Sequence, residues 1–119
     1  MRYIDGYVIP VPRKHLAMYR RMAAQSSRIW KEHGALEYLE SVGDDLHMPF
    51  GTPFPKLVKA KPGEAVVFAW VVYKSRASRD QVNAKVLKDP RIAAMMKKAS
   101  PFDTKRMTMG GFRAIVDVR

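Results

Sequence analysis

The chain has 119 residues, 47% of them hydrophobic, with 22 Lys and Arg against 11 Asp and Glu and a formal net charge of +11. That length suits one domain, and the hydrophobic share suits a packed core rather than a disordered or low-complexity chain. No cysteine is present, which excludes disulfides, thiol nucleophiles and thiolate metal sites. The opening Met1-Arg2-Tyr3-Ile4-Asp5-Gly6 has no apolar h-region, so the cytoplasm is the expected compartment.

Tyr3 to Val11 reads as a first strand, with Tyr3, Asp5, Tyr7 and Ile9 on one face and Ile4 and Val8 on the other. Pro10 and Pro12 are expected to close it, because neither donates to a ladder, and Pro12 suits the first turn of a helix. From Arg13 to His33, Leu16, Tyr19, Met22, Ala23, Ser26, Ile29 and Trp30 recur at three- and four-residue spacings, the pattern of an amphipathic helix. Gly34 ends it. Arg13, Lys14, Arg20, Arg21, Arg28 and Lys31 fall on an opposite arc of roughly 120°.

Ala35 to Asp45 reads as a second strand, Leu36, Tyr38 and Glu40 alternating with Glu37, Leu39 and Ser41. Leu46 to Gly63 is an irregular, Pro/Gly-rich loop within the domain, broken by Pro49, Gly51, Pro53, Pro55, Pro62 and Gly63. A loop so long in a small domain is expected to serve function, here as a lid. Ala65 to Tyr73 then carries no charge at all. It falls well short of the roughly 20 apolar residues that span a bilayer, so no membrane association is expected. Rich in Val, Phe, Trp and Tyr, it reads as a third strand. Val66, Phe68, Trp70 and Val72 take one face, and Val67, Ala69, Val71 and Tyr73 the other. Both faces are apolar. The chain's helices can cover one, and the other calls for a second copy of the chain.

Ser78-Arg79-Asp80-Gln81 reads as a capping box opening a helix to about Lys88. Asp89-Pro90 restarts it, an N-cap followed by proline at N1, and the helix runs to about Ala99. After the connector Ser100-Pro101-Phe102-Asp103, Met107 to Val118 reads as the last strand, with Gly110-Gly111 marking a bulge or a close backbone approach. The order is β-α-β-β-α-β over residues 1–119, an α+β ferredoxin-like domain with a four-stranded antiparallel sheet and both helices on one face. Two such sheets packed face to face make a homodimeric α/β barrel.

Several stretches carry a resemblance. They are Tyr3-Ile4-Asp5-Gly6-Tyr7-Val8 with Pro12, Gly34-Ala35-Leu36, Val66-Val67-Phe68-Ala69-Trp70, and Arg79-Asp80 with Asn83 and Asp89-Pro90-Arg91. Pro101-Phe102-Asp103, Lys105-Arg106-Met107 and Gly110-Gly111-Phe112 complete the set. Together they resemble the YbaA-like family, small bacterial proteins classed as a domain of unknown function. The resemblance implies the dimeric α/β-barrel superfamily, whose branches include cofactor-free monooxygenases, haem-handling enzymes and stress proteins. It brings no established reaction or catalytic residue with it.

Among the residues themselves, Asp5 is the first candidate acid or base, on a face destined for burial with Tyr3 and Tyr7 beside it. The alternative is structural: Asp5 pairs with Arg106 or Arg113 across strands, or simply sits near the open end of the sheet. Asp103 is the second candidate, with Lys105 and Arg106 placed to hold an anionic or carbonyl ligand at the barrel mouth, or else to cap and fix the strand's entry. Trp70, with Tyr3 and Tyr7, would contact a ligand if it faces the barrel interior, whereas Trp30 reads as core. His15, His33 and His47 lack metal-ligand spacing, and Gly110-Gly111 leads into no phosphate-binding helix, so neither metal nor cofactor is expected. The basic arc has no interleaved aromatics and no nucleic-acid motif, and reads first as a solvated face. The leading expectation is a homodimer with a small-molecule site in each barrel, of cofactor-independent oxygenase or isomerase type. Its rivals are a non-catalytic binding protein, including non-specific nucleic-acid binding through the basic arc, and a purely structural dimer.

Overall fold

The computed structural model describes residues 1–119. Strands β1 (Tyr3–Pro12), β2 (Glu37–Val42), β3 (Glu64–Tyr73) and β4 (Thr108–Arg113) form one antiparallel sheet in the order β2-β3-β1-β4. Helix α1 (Leu16–Glu32) follows a 3-10 turn at Arg13–His15. A single turn, α2 (Phe54–Leu57), lies inside the Pro/Gly-rich segment, and the second crossover is split into α3 (Arg76–Leu87) and α4 (Pro90–Met96). The β-α-β-β-α-β order is therefore present, with α1 and the α3–α4 pair on one face of the sheet.

Pro10 and Pro12 belong to β1 rather than closing it. Ala114 donates its N–H to the Arg2 carbonyl, which shows that even-numbered residues of β1 turn their backbone groups toward β4. Pairing with β4 stops at Val8, so the two prolines sit where a missing N–H leaves no ladder bond unmade. On the other side the β1–β3 register runs unbroken from Tyr3 opposite Tyr73 to Pro12 opposite Glu64.

The odd-numbered residues of β1 and β3 face the helices. Val71 and Tyr73 pack with Ile29, Ala35, Val82, Val86 and Ile92, and Ile9, Val11, Val67 and Ala69 pack with Tyr19. Gly34, at φ +119°, ends α1 as expected. The N-cap of α3 is Ser75 rather than Ser78: its Oγ accepts the Ser78 N–H at 3.1 Å. Asp89 caps α4 as expected, Oδ1 accepting the Arg91 N–H at 2.9 Å.

The opposite face is not left bare. Val8 and Val66 are buried there beneath Val58, with Leu46 and Ala60 alongside. Phe54 packs edge-on against Phe68, which packs edge-on against Trp70, at centroid distances of 5.8 and 5.6 Å. The segment expected to be a lid is thus a partial cover for the second face. Leu39, Phe68 and Phe112 remain 45%, 39% and 63% exposed.

β4 pairs with β1 without a bulge, from Arg113 opposite Tyr3 to Thr108 opposite Val8. The glycines mark close approaches instead. A Cβ at Gly111 would lie 2.8 Å from Cε2 of Tyr3, whose ring covers it. Beyond Arg113 the chain leaves the sheet, and Arg2 grips Asp117 with two hydrogen bonds of 2.8 and 2.6 Å.

Candidate functional site

Between the helix layer and the sheet of a single chain lies a cavity of about 210 Å³, lined mostly by apolar and aromatic side chains. The strand period explains its floor. Tyr7 and Ile9 share a face of β1, while Tyr38 and Glu40 share a face of β2 and pair with Val71 and Ala69 of β3. The helix period explains its roof, since Tyr19, Met22, Ala23, Ser26 and Trp30 follow one another along the inner stripe of α1. Met95, Phe102 and Met107 close the side. The expected ligand space lay between two sheets; this cavity lies on the helix side instead. A wider recess of about 520 Å³ shares Tyr7, Met22, Trp30, Met95 and Phe102 with it and reaches Asn83, Met96 and Lys98.

Glu40 is the only charged residue in the cavity wall. Its Oε1 accepts the Tyr19 hydroxyl at 2.5 Å and its Oε2 the Tyr38 hydroxyl at 2.9 Å. Burial pushes its carboxyl above the usual range, and the two hydroxyl donors only partly oppose this. The Tyr19 and Tyr38 hydroxyls are pushed up in turn, by burial first and then by the Glu40 charge. The Tyr7 hydroxyl makes no hydrogen bond within the chain. Burial, with the Asp5 carboxylate second, pushes it up to about 12.

Asp5, 3% exposed, heads a second polar group beside the cavity. Burial raises its carboxyl, and the chief opposing influence is the Arg79 guanidinium, whose Nη1 lies 3.7 Å from Oδ1. Arg79 Nη2 donates to the Tyr3 hydroxyl at 3.2 Å. Its Nε, buried and without a hydrogen bond, faces Asp80 at 3.1 Å. Tyr73 accepts from the Trp30 indole at 3.2 Å and donates to Asn83 Oδ1 at 3.3 Å. Asp5 therefore takes its cation from α3, not from Arg106 or Arg113 as the structural alternative had it. The reason is the face: Asp5 points under the helices, where α3 crosses.

Arg106 is committed elsewhere. It grips both oxygens of Glu64 at 2.7 and 2.6 Å, donates to the Lys59 carbonyl at 3.0 Å and takes Asp103 Oδ2 at 3.1 Å. Asp103 also caps the turn Thr104–Arg106 by accepting the Lys105 N–H at 3.0 Å. The Lys105 side chain is exposed. Glu64 stands at the far end of β3 from Val71, the partner of Asp5, and seven residues of strand put about 23 Å between them. So Tyr3, Tyr7 and Asp5 lie together, while Asp103, Lys105 and Arg106 form a separate cluster. Trp70 pairs with Gly6 and Leu39 and stacks edge-on with Phe68, which turns its ring to the opposite face of the sheet. Arg13, Lys14, Arg20, Arg21, Arg28 and Lys31 are all exposed along α1 and the turn before it. No group of three His, Asp or Glu stands close enough to hold a metal ion. Strand alternation places Glu40 but does not single it out. The available signal is an acid sharing a face with Tyr38 opposite an apolar helix stripe.

The sequence profile described as "Protein of unknown function (DUF1428)" matches residues 2–104. The chain belongs to the DUF1428 family. Among its relatives, "Uncharacterized protein YbaA" of Escherichia coli strain K12 is 42% identical over 117 residues, 98% of this chain and 99% of that protein. Solved structures similar to this DUF1428 member include a dimeric ferredoxin-like protein from an uncultured marine organism, with a TM-score of 0.61 at 13% identity over 98% of both chains. Rv0793 from Mycobacterium tuberculosis gives 0.59 at 12% identity over the whole of both chains. A mutant form of SnoaB, a cofactor-independent oxygenase from Streptomyces nogalater, gives 0.55 at 14%, over 98% of this chain and 96% of that one. At such identities the likeness is one of fold, and the family member here has the ferredoxin-like fold. None of its helices is long and apolar enough to cross a membrane.

Proposed function

We propose that this protein forms a homodimer in which each protomer holds an apolar small molecule between its sheet and α1. One observation carries the reading: an apolar cavity whose wall offers a single carboxyl, Glu40, and two unpartnered hydroxyls, Tyr7 and Ser26. Pockets of this make-up, apolar with a few convergent polar groups, are the usual form of a small-molecule site. The uncovered Leu39, Phe68 and Phe112 supply the apolar patch for a second copy, and a protein of the same fold is described as dimeric. A cofactor-independent oxygenase on this fold supports chemistry of oxygenase or isomerase type, in which side chains alone move the proton.

Retained ligand is sought by native mass spectrometry of freshly purified protein. Occupancy is then followed by quenching of Trp30 fluorescence in a Trp70→Phe background with 5-nitrobenzisoxazole, a small neutral nitroaromatic. Saturable quenching that is lost when Ala23→Phe fills the cavity supports the reading. Quenching that survives Ala23→Phe unchanged puts the probe elsewhere and sinks it.

A second reading has its own observation. Arg13, Lys14, Arg20, Arg21 and Arg28 are exposed and make no ion pair, which suits a non-specific polyanion contact. Binding of unrelated DNA or RNA that falls with salt and disappears on charge reversal at Arg20, Arg21 and Arg28 would favour it.

A further inference from the structure

Glu40 borders two spaces. On its inner side is the cavity; on its outer side, with Tyr19, Ala23 and Tyr38, it lines an open groove of about 530 Å³ between α1 and the edge strand β2. No cation pairs with it, and its only hydrogen-bond partners are the Tyr19 and Tyr38 hydroxyls. A carboxylate held without a counter-ion beside an apolar space is poorly solvated and correspondingly basic. Access from the groove lets water remove a proton without the ligand leaving. Those features suit a base that acts inward and discharges outward.

We propose that Glu40 is the proton acceptor of the cavity, and that the ligand is a neutral apolar molecule carrying a weakly acidic C–H or O–H aimed at it. The proposal rests on the reading that the cavity holds a small molecule. In the step, the ligand's C–H or O–H bond breaks and its electron pair stays on the ligand as a carbanion, enolate or phenolate. The proton forms an O–H bond on Glu40, which becomes a neutral acid. The charge inside the cavity is unchanged at one negative unit, so no ion has to be brought in from water. The Tyr7 hydroxyl, without a partner in the chain, is free to donate to the new anion. An anionic ligand is disfavoured because it would set two negative charges side by side in an apolar space. The formal charge of +11 disfavours the encounter with a cationic one.

The groups facing Glu40 are few. Tyr19 and Arg20 come from α1, Tyr7 from β1 and Tyr38 from β2, while β3 offers only Ala69 and Val67. The pH response of proton transfer should therefore follow Glu40 itself.

Base-promoted opening of 5-nitrobenzisoxazole tests this directly. The base takes the ring C–H proton, the N–O bond breaks, a nitrile forms and a coloured cyanonitrophenolate leaves, with no oxidant or cofactor. The protein should accelerate it saturably, and the rate should rise with pH to a plateau whose midpoint lies above the ordinary glutamate range. Glu40→Gln should lower kcat about 100-fold or more while KM changes little. Glu40→Asp, which keeps the carboxyl but withdraws it, should retain part of the rate, and thermal melting of both variants reports that they fold. Trp30 quenching by the same compound separates the failures. No binding by the wild-type protein overturns the cavity reading and this inference with it. Binding without turnover, turnover that survives Glu40→Gln, or tighter binding of a benzyltrimethylammonium ion than of its neutral isostere overturns the role of Glu40 alone.

Discussion

A carboxyl with two hydroxyl donors and no cation is a cost to its own fold at neutral pH. Its ionisation range is raised in the folded chain, so the native state prefers it protonated and loses stability as pH rises through that range. Glu40→Gln removes the charge and keeps an acceptor for Tyr19 or Tyr38. The melting temperature at pH 7 should rise by roughly 4 °C, since about 1 kcal/mol moves a domain of this size by about that much. Differential scanning calorimetry checks it, and a fall at pH 7 would count against an uncompensated charge at Glu40. Glu64 behaves in the opposite sense. Arg106 holds its carboxyl down to about 2, below the ordinary 4.5, so its contribution is present above pH 4.5 and is lost as pH falls toward 2. Arg106→Met should therefore melt several degrees lower at pH 7 and show a flatter loss between pH 4.5 and 2 in an acid melting series. At this scale, alternation alone shows that Asp5 shares a face with Tyr3 and Tyr7. Its partner Arg79 was not legible, because the pairing depends on where α3 crosses the sheet rather than on spacing along the chain.

Single elements show where local signals win and where they yield. The helix stripe from Leu16 to Trp30 was readable from its three- and four-residue spacing, and the strand run from Ala65 to Tyr73 from its unbroken apolar, β-prone composition. The prolines of β1 misled because a ladder has two sides, and only the register shows that one side is already unoccupied. Leu46 to Gly63 was opaque for a related reason. Its Pro and Gly residues break periodicity, yet Leu46, Val58 and Ala60 still bury apolar surface against Val8 and Val66. β4 offers a test of close approach. Gly111→Ala would drive a methyl group into the Tyr3 ring and displace the hydroxyl that accepts from Arg79. The expected loss is about 1–3 kcal/mol by urea denaturation. In a Tyr3→Ala background the same change should cost less, because the colliding ring is gone.

For the whole molecule, the β-α-β-β-α-β order and the antiparallel sheet followed from strand and helix periods taken in sequence, and the ferredoxin-like likeness agrees with them. The need for outside cover was overdrawn, since the chain supplies part of that cover itself. The proposed dimerisation through what remains should be sensitive to one charge within the patch. Leu39→Asp, at an exposed position of β2, should shift sedimentation toward the monomer without changing the far-ultraviolet circular dichroism. A dimer unaffected by it would place the interface elsewhere. The Val58–Val66–Val8 cluster also bears on the order of events during biogenesis. A sheet already half dry on its second side has less to gain from a partner, so a newly made chain can finish folding alone and find its twin afterwards. Dissociation and unfolding then become separate transitions, and dilution would leave intact single subunits rather than denatured chain.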